Sequence, residues 1–183
     1  MTQDRTSWQV KDADILTELI ALTALTEEEA ALLGGLQAHA REVAPALQDA
    51  FYGRLFSHAN TAEYLAGVPL DRLHTMVAAW FADIFGGVYD ASYAQKRLRI
   101  GEIHVRIGLP VRYPLAMLDV VMPFGEAVAR KSAQPERAAA AFRKLLALDI
   151  AIFNQAYEDN QLRHLADLVG GERLARLLLT RGV

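Results

Sequence analysis

Apolar residues in this chain recur at intervals of three and four and nowhere alternate with period two over a useful length, which restricts it to an all-α fold. Glycines, prolines and capping residues divide it into about seven or eight helices. The first 25 residues are mixed, with one amphipathic stretch at Ile15–Ile20, and read as an extension helix lying on the domain or on a neighbour. Thr26-Glu27-Glu28-Glu29 reads as a capping box, with Thr26 at the N-cap and Glu29 reaching back to its amide, and the run it opens ends at Gly34-Gly35. A longer helix follows from about Leu36 to His58, with Pro45 as a local kink. Pro69 stands at a first helical position, and its helix runs to Phe85 and stops at Gly86-Gly87. Asp90 is an N-cap for a helix ending at Gly108, before Pro110. The next helix, about Val111 to Lys131, is interrupted by Pro114 and Pro123. Pro135-Glu136 open a last long helix to about Val169, and a short one follows Gly170-Gly171. Residues 26–169 thus make one domain, flanked by the extension 1–25 and by a short C-terminal helix in 170–183.

With 183 residues, 52 % of them hydrophobic, such a domain buries roughly 70 % of its unfolded surface. It can hold a cofactor and still have a core. A net charge of −3 supplies no basic face for nucleic acid. No run of 18 apolar residues occurs and Met1-Thr2-Gln3-Asp4-Arg5 opens no signal peptide, so the expectation is a soluble, cytoplasmic chain without a membrane partner. The absence of cysteine fits a reducing compartment.

Of the five histidines, His104 alone sits in the middle of a helical apolar stripe. Ile100, Ile103 and Ile107 lie at −4, −1 and +3 from it, so the imidazole points where core side chains point. Such a histidine is either satisfied by a nearby partner within the core or ligates a metal. No second ligand of a zinc pattern stands near it. Two further segments, Ala116–Met122 and Leu145–Phe153, are apolar almost all round, with one carboxylate each at Asp119 and Asp149. A helix apolar on two faces is buried on both, either at the centre of one core or in an intermolecular bundle.

Three segments carry a resemblance to a known family. Asp49-Ala50-Phe51-Tyr52-Gly53-Arg54-Leu55 resembles the second core helix of the globin-coupled sensors, the protoglobin lineage of bacterial gas sensors. Leu70-Asp71-Arg72-Leu73 through Phe85-Gly86-Gly87-Val88-Tyr89 resembles their distal helix and its exit, and the run from Lys96 to Pro110 resembles their proximal helix. The resemblance spans Thr26 to about Val169. It implies a globin-like fold with an N-terminal extra helix, binding haem b (iron protoporphyrin IX) with His104 as the proximal iron ligand. It further implies that Tyr52 donates a hydrogen bond to dioxygen, the alternative being a core tyrosine whose hydroxyl reaches water. Phe51, Leu73, Met76 and Val77 then wall the distal side, and Phe81, Ile100, Ile107 and Met117 complete the cofactor pocket. His74, on the edge of the distal stripe, is a possible sixth ligand; His39, His58 and His164 read as surface residues. The aromatic pair that some relatives carry after the proximal helix is only partly kept, at Tyr113.

The function so implied is a gas sensor taking O2, CO and NO at ferrous iron. Relatives pass that state to a histidine kinase, a diguanylate cyclase or a chemotaxis transmitter. The sensor itself is not expected to be an enzyme. A homodimer through the last two long helices, around Asp119 and Asp149, is expected from their apolar excess and from the family alike. The rival readings are a haem enzyme acting on peroxide or NO, and a haem-free helical dimerisation module.

Overall fold

A computed structural model describes residue 10 and residues 13–180; of the N-terminal extension, 1–9 and 11–12 lie outside the described residues, as do 181–183. Among the described residues there are ten α-helices and no strand. They are α1 (Ala13–Thr23), α2 (Glu27–Gly34), α3 (Gln37–Phe56), α4 (Ala59–Ala62), α5 (Leu70–Ile84), α6 (Ala91–Arg106), α7 (Arg112–Ala116), α8 (Leu118–Ala129), α9 (Pro135–Val169) and α10 (Glu172–Thr180), with a 3-10 turn at Glu63–Leu65. Two short pieces raise the count above seven or eight: α4, and α7 split from α8 at Met117. Pro123 stays inside α8 and Pro45 inside α3. Pro69 is the N-cap of α5 rather than its first helical residue.

The local chemistry places the boundaries. Thr26 accepts from the Glu29 amide at 3.2 Å while a Glu29 carboxylate oxygen accepts from the Thr26 amide at 3.0 Å, so the capping box is closed in both directions. Asp90 caps α6 by accepting from the Tyr93 amide. Gly170, in the left-handed region at φ 84°, ends α9 with its amide donating to the Ala166 carbonyl.

The molecule is organised around α9, which contacts α1, α2, α5, α6, α8 and α10. Its residues Ala138, Ala141, Phe142, Leu145, Leu148 and Ile152 are buried. Two glycines bring neighbours onto it. A Cβ at Gly125 in α8 would overlap the Phe142 ring, and one at Gly101 in α6 would lie 2.5 Å from the Phe153 carbonyl oxygen and 2.7 Å from the Ala156 Cβ. Only a hydrogen fits at either crossing. The α6–α9 contact is the more extensive, and α3 packs chiefly on α5.

The two apolar segments therefore differ from each other. Asp149 is buried, whereas Asp119 is exposed and pairs with Arg54 of α3 at 3.6 Å. Leu145, Leu148 and Ile152, expected at a seam between two chains, are core residues of one chain. Much of the apolar surface of α9 is buried within one chain, where six other helices contact it.

Candidate functional site

His104 lies in the last turn of α6, half-buried, with its ring edge-on to Phe153 at 5.3 Å. Its Nδ1 is 2.7 Å from the Ile100 carbonyl oxygen one turn back. A carbonyl only accepts, so Nδ1 carries the proton and Nε2 keeps the lone pair. Burial pushes the imidazole pKa below the ordinary 6.5, opposed more weakly by the bond to Ile100, which keeps the ring neutral. This tautomer and charge state are what an axial metal ligand requires. Among the described residues no group of three or more His, Cys, Asp or Glu is placed to hold a metal ion. One protein nitrogen does not make a metal site by itself, so an ion at His104 must arrive with most of its own ligands, as iron in a porphyrin does.

Across the fold, Tyr52 of α3 and Leu73 and Val77 of α5 form a small buried cluster, with Phe51, Leu55, Leu65 and Trp80 packed against it. The Tyr52 hydroxyl donates to the Leu73 carbonyl at 2.9 Å, so it does not reach out to water. Burial raises its pKa to about 12, and it stays a protonated donor at any physiological pH. The His74 ring stacks on Tyr52 at 5.3 Å with the planes 29° apart, and the His74 carbonyl accepts from the Gln48 amide nitrogen at 2.8 Å. These contacts hold α5 to α3 at the tyrosine.

The other residues assigned to the pocket from sequence divide into three groups. Phe81 and Met117 are buried in the main core, Phe81 against Phe85, rather than in the Tyr52 cluster. Ile100 is half-buried on α6. Met76, on the outer face of α5, is 43 % exposed and Ile107, the residue that ends α6, is 49 % exposed. Tyr113 packs at 6.3 Å against Tyr64, with Arg112 over its ring at 4.7 Å. His58 and His164 are exposed and His39 pairs with Glu42.

Sequence reasoning missed one feature, a buried polar cluster between α5, α6 and α9. Asp149 of α9 accepts from the Tyr93 hydroxyl and from Arg97 Nε on Oδ1, and from Trp80 Nε1 at 3.0 Å on Oδ2. Arg97 also donates to the Trp80 carbonyl at 3.4 Å and lies 3.5 Å from Asp83. The signal was present in the lone carboxylate of the apolar run 145–153 and in an arginine two turns before His104 on the same face of α6. Neither says that the other is its partner, 52 residues away.

The fold is shared with known proteins over about three quarters of the chain. It superposes on the globin domain of the Geobacter sulfurreducens globin-coupled sensor with a TM-score of 0.72 at 30 % identity, covering 77 % of this chain and 96 % of that one. The haem-based aerotactic transducer HemAT of Halobacterium salinarum is 28 % identical over 163 residues, and the match covers 81 % of this chain and 33 % of the transducer. The chain thus spans about a third of that relative's length. The protoglobin family model matches residues 12–163, from α1 into the last third of α9, and the chain belongs to the protoglobin family.

Proposed function

We propose that this domain is a haem-based gas sensor that binds haem b through His104 and takes O2, CO and NO reversibly. The observation that carries the reading is His104 itself: a neutral imidazole at the edge of the α6–α9 crossing, with Nδ1 tied to the Ile100 carbonyl and Nε2 left as a lone-pair donor. The relatives add support, since one is named a haem-based aerotactic transducer and another a globin-coupled sensor.

Haem, held by His104, would supply a ferrous iron able to take a diatomic gas. The protein's part is to orient and to discriminate. Ile100 fixes the tautomer of His104, and Phe153 limits its rotation from the α9 side. Tyr52 supplies a hydroxyl donor in an apolar pocket, where a hydrogen bond to a partly negative diatomic is worth more than in water. Leu73 and Val77 exclude water around it.

The output is a separate module such as a histidine kinase, a diguanylate cyclase or a chemotaxis transmitter, and the domain is cytoplasmic and not itself an enzyme. Its dimer would use the outward face of α9, where Ala140 and Ala147 are exposed and Ala151 half-exposed.

The test is the absorption spectrum of protein purified from cells supplied with a haem precursor. A strong Soret band that shifts reversibly with O2 and with CO is expected, and His104→Ala should lose the haem or hold it only with added imidazole. A colourless protein, or an alanine variant with unchanged haem content and ferrous spectrum, overturns the assignment. Steady turnover of peroxide or NO would make it an enzyme instead.

A further inference from the structure

Arg97 and Asp149 are 2 % and 1 % exposed, the most deeply buried charges among the described residues. Taking two ions out of water is costly, and apolar residues of the same volume generally stabilise a core as well or better. What such a pair adds is direction. Both carboxylate oxygens of Asp149 are used, and Arg97 is engaged by three helices at once: Asp149 in α9, the Trp80 carbonyl and Asp83 in α5, and the Tyr93 ring one turn back in α6, 4.2 Å from the guanidinium. Lys96 adds a second cation on Asp83 at 3.3 Å.

The position of this cluster relative to His104 follows from helix geometry. Seven residues make almost two full turns, so Arg97 and His104 lie on one face of α6, about 20° apart and about 10 Å apart along the axis. Gly101 lies between them. On α9 the contacts lie along one stretch: Asp149 meets Arg97, and one to two turns further on Phe153 and Ala156 close on Gly101 while the Phe153 ring also meets His104. A slip of α6 by one residue, about 1.5 Å of rise and 100° of rotation, would break the ion pair and collide at Gly101 together.

The geometry points to Arg97 and Asp149 as positioning residues for His104: they lock the rotation and axial register of α6 on α9, fix the orientation of the imidazole towards its ligand, and join α5, α6 and α9 into one body that carries a displacement of His104. This inference rests on the haem reading for the ligand, but the register lock is a property of the protein alone.

Asp149→Asn removes the charge and keeps the shape; Arg97→Lys keeps the charge and loses the planar fork. Leu33→Ala, in the buried face of α2, serves as a control for plain destabilisation. In the ferrous, haem-loaded protein, the iron–histidine stretching band in resonance Raman should shift or split in Asp149→Asn, shift less in Arg97→Lys, and stay in place in Leu33→Ala. In apo-protein, amide exchange across residues 98–106 should quicken selectively in the two cluster variants. If Asp149→Asn does not fold, Arg97→Lys carries the test by the same readouts. An unmoved band, or one moved equally by Leu33→Ala, overturns the positioning role. A wild type that takes up no haem overturns the sensor reading instead, and the exchange rates then decide this one: selective quickening upholds it and uniform quickening overturns it.

Discussion

At Tyr52 one hydroxyl donates to the Leu73 carbonyl and, in the sensor reading proposed above, would also donate to the bound gas. Tyr52→Phe removes the donor to the Leu73 carbonyl and, with haem bound, the donor to the gas. A hydrogen bond of this kind is worth on the order of 1–3 kcal/mol in a buried site. Oxygen should leave about ten- to a hundred-fold faster, with CO affected far less, as stopped-flow dissociation rates would show. Association should also quicken, because the phenol no longer has to leave Leu73 before a ligand settles, so the equilibrium constant should move less than the dissociation rate. The residue scale is also where the sequence was least complete. His104 announced itself because its neighbours are isoleucines at helical spacing, and the family resemblance gave Tyr52 a role. The partners of both, the Ile100 carbonyl and the Leu73 carbonyl, are backbone atoms, and no residue pattern reports which carbonyl a side chain will reach. Met76 faces outward although its spacing fits the distal stripe, because α5 has only one buried face and Met76 lies a turn of 100° off Val77.

Helix boundaries were legible wherever a side chain makes them. Thr26, Asp90 and Gly170 each act as local chemistry requires, whereas the break at Met117 has no cap and α4 is a single turn, so both went unread. The capping box of α2 also reaches beyond its own helix, since Lys144 of α9 lies 2.8 Å from Glu29. Burial pushes the Glu29 pKa up, but the Lys144 ammonium and the Thr26 amide outweigh it, and the carboxyl sits below its ordinary 4.5. A lowered carboxylate pKa stabilises the fold above the ordinary value, and that stability is lost as pH falls from about 4.5 through the folded value. Glu29→Gln should cost about 1–2 kcal/mol near neutrality and flatten this acid limb in melting curves taken across the carboxylate range. At the opposite crossing, Gly101→Ala should destabilise by about 1–3 kcal/mol, because the obstacle is the Phe153 backbone, which cannot rotate away. Denaturant titration measures the loss. The haem spectrum of the same variant should change where that of an equally destabilised core variant does not.

For the whole molecule, the relevant contrast is between Ile152 and Ala147, five residues apart on α9. Ile152 is in the core, so Ile152→Glu should unfold the chain whatever its oligomeric state. Ala147 is exposed, and Ala147→Glu tests the dimer without touching the core. Light scattering at micromolar concentration should give a dimer for wild type and a monomer for Ala147→Glu; a monomeric wild type removes the dimer, and a dimer indifferent to the charge moves its interface off this face.

The central place of α9 also bears on how the chain comes to be folded at all. Lys144 is 115 residues from Glu29, and α1 and α2 rest on a helix that begins only at Pro135. Contacts so distant along the chain close slowly. On the ribosome, α1 and α2 emerge long before the surface that covers them, and their apolar faces wait for α9. Phe153 and Ala156, which back α6 at Gly101 and His104, are among the later arrivals. The α6–α9 crossing around His104 is therefore finished only after α9 has been made, and haem uptake at His104 would follow the synthesis of α9 rather than precede it.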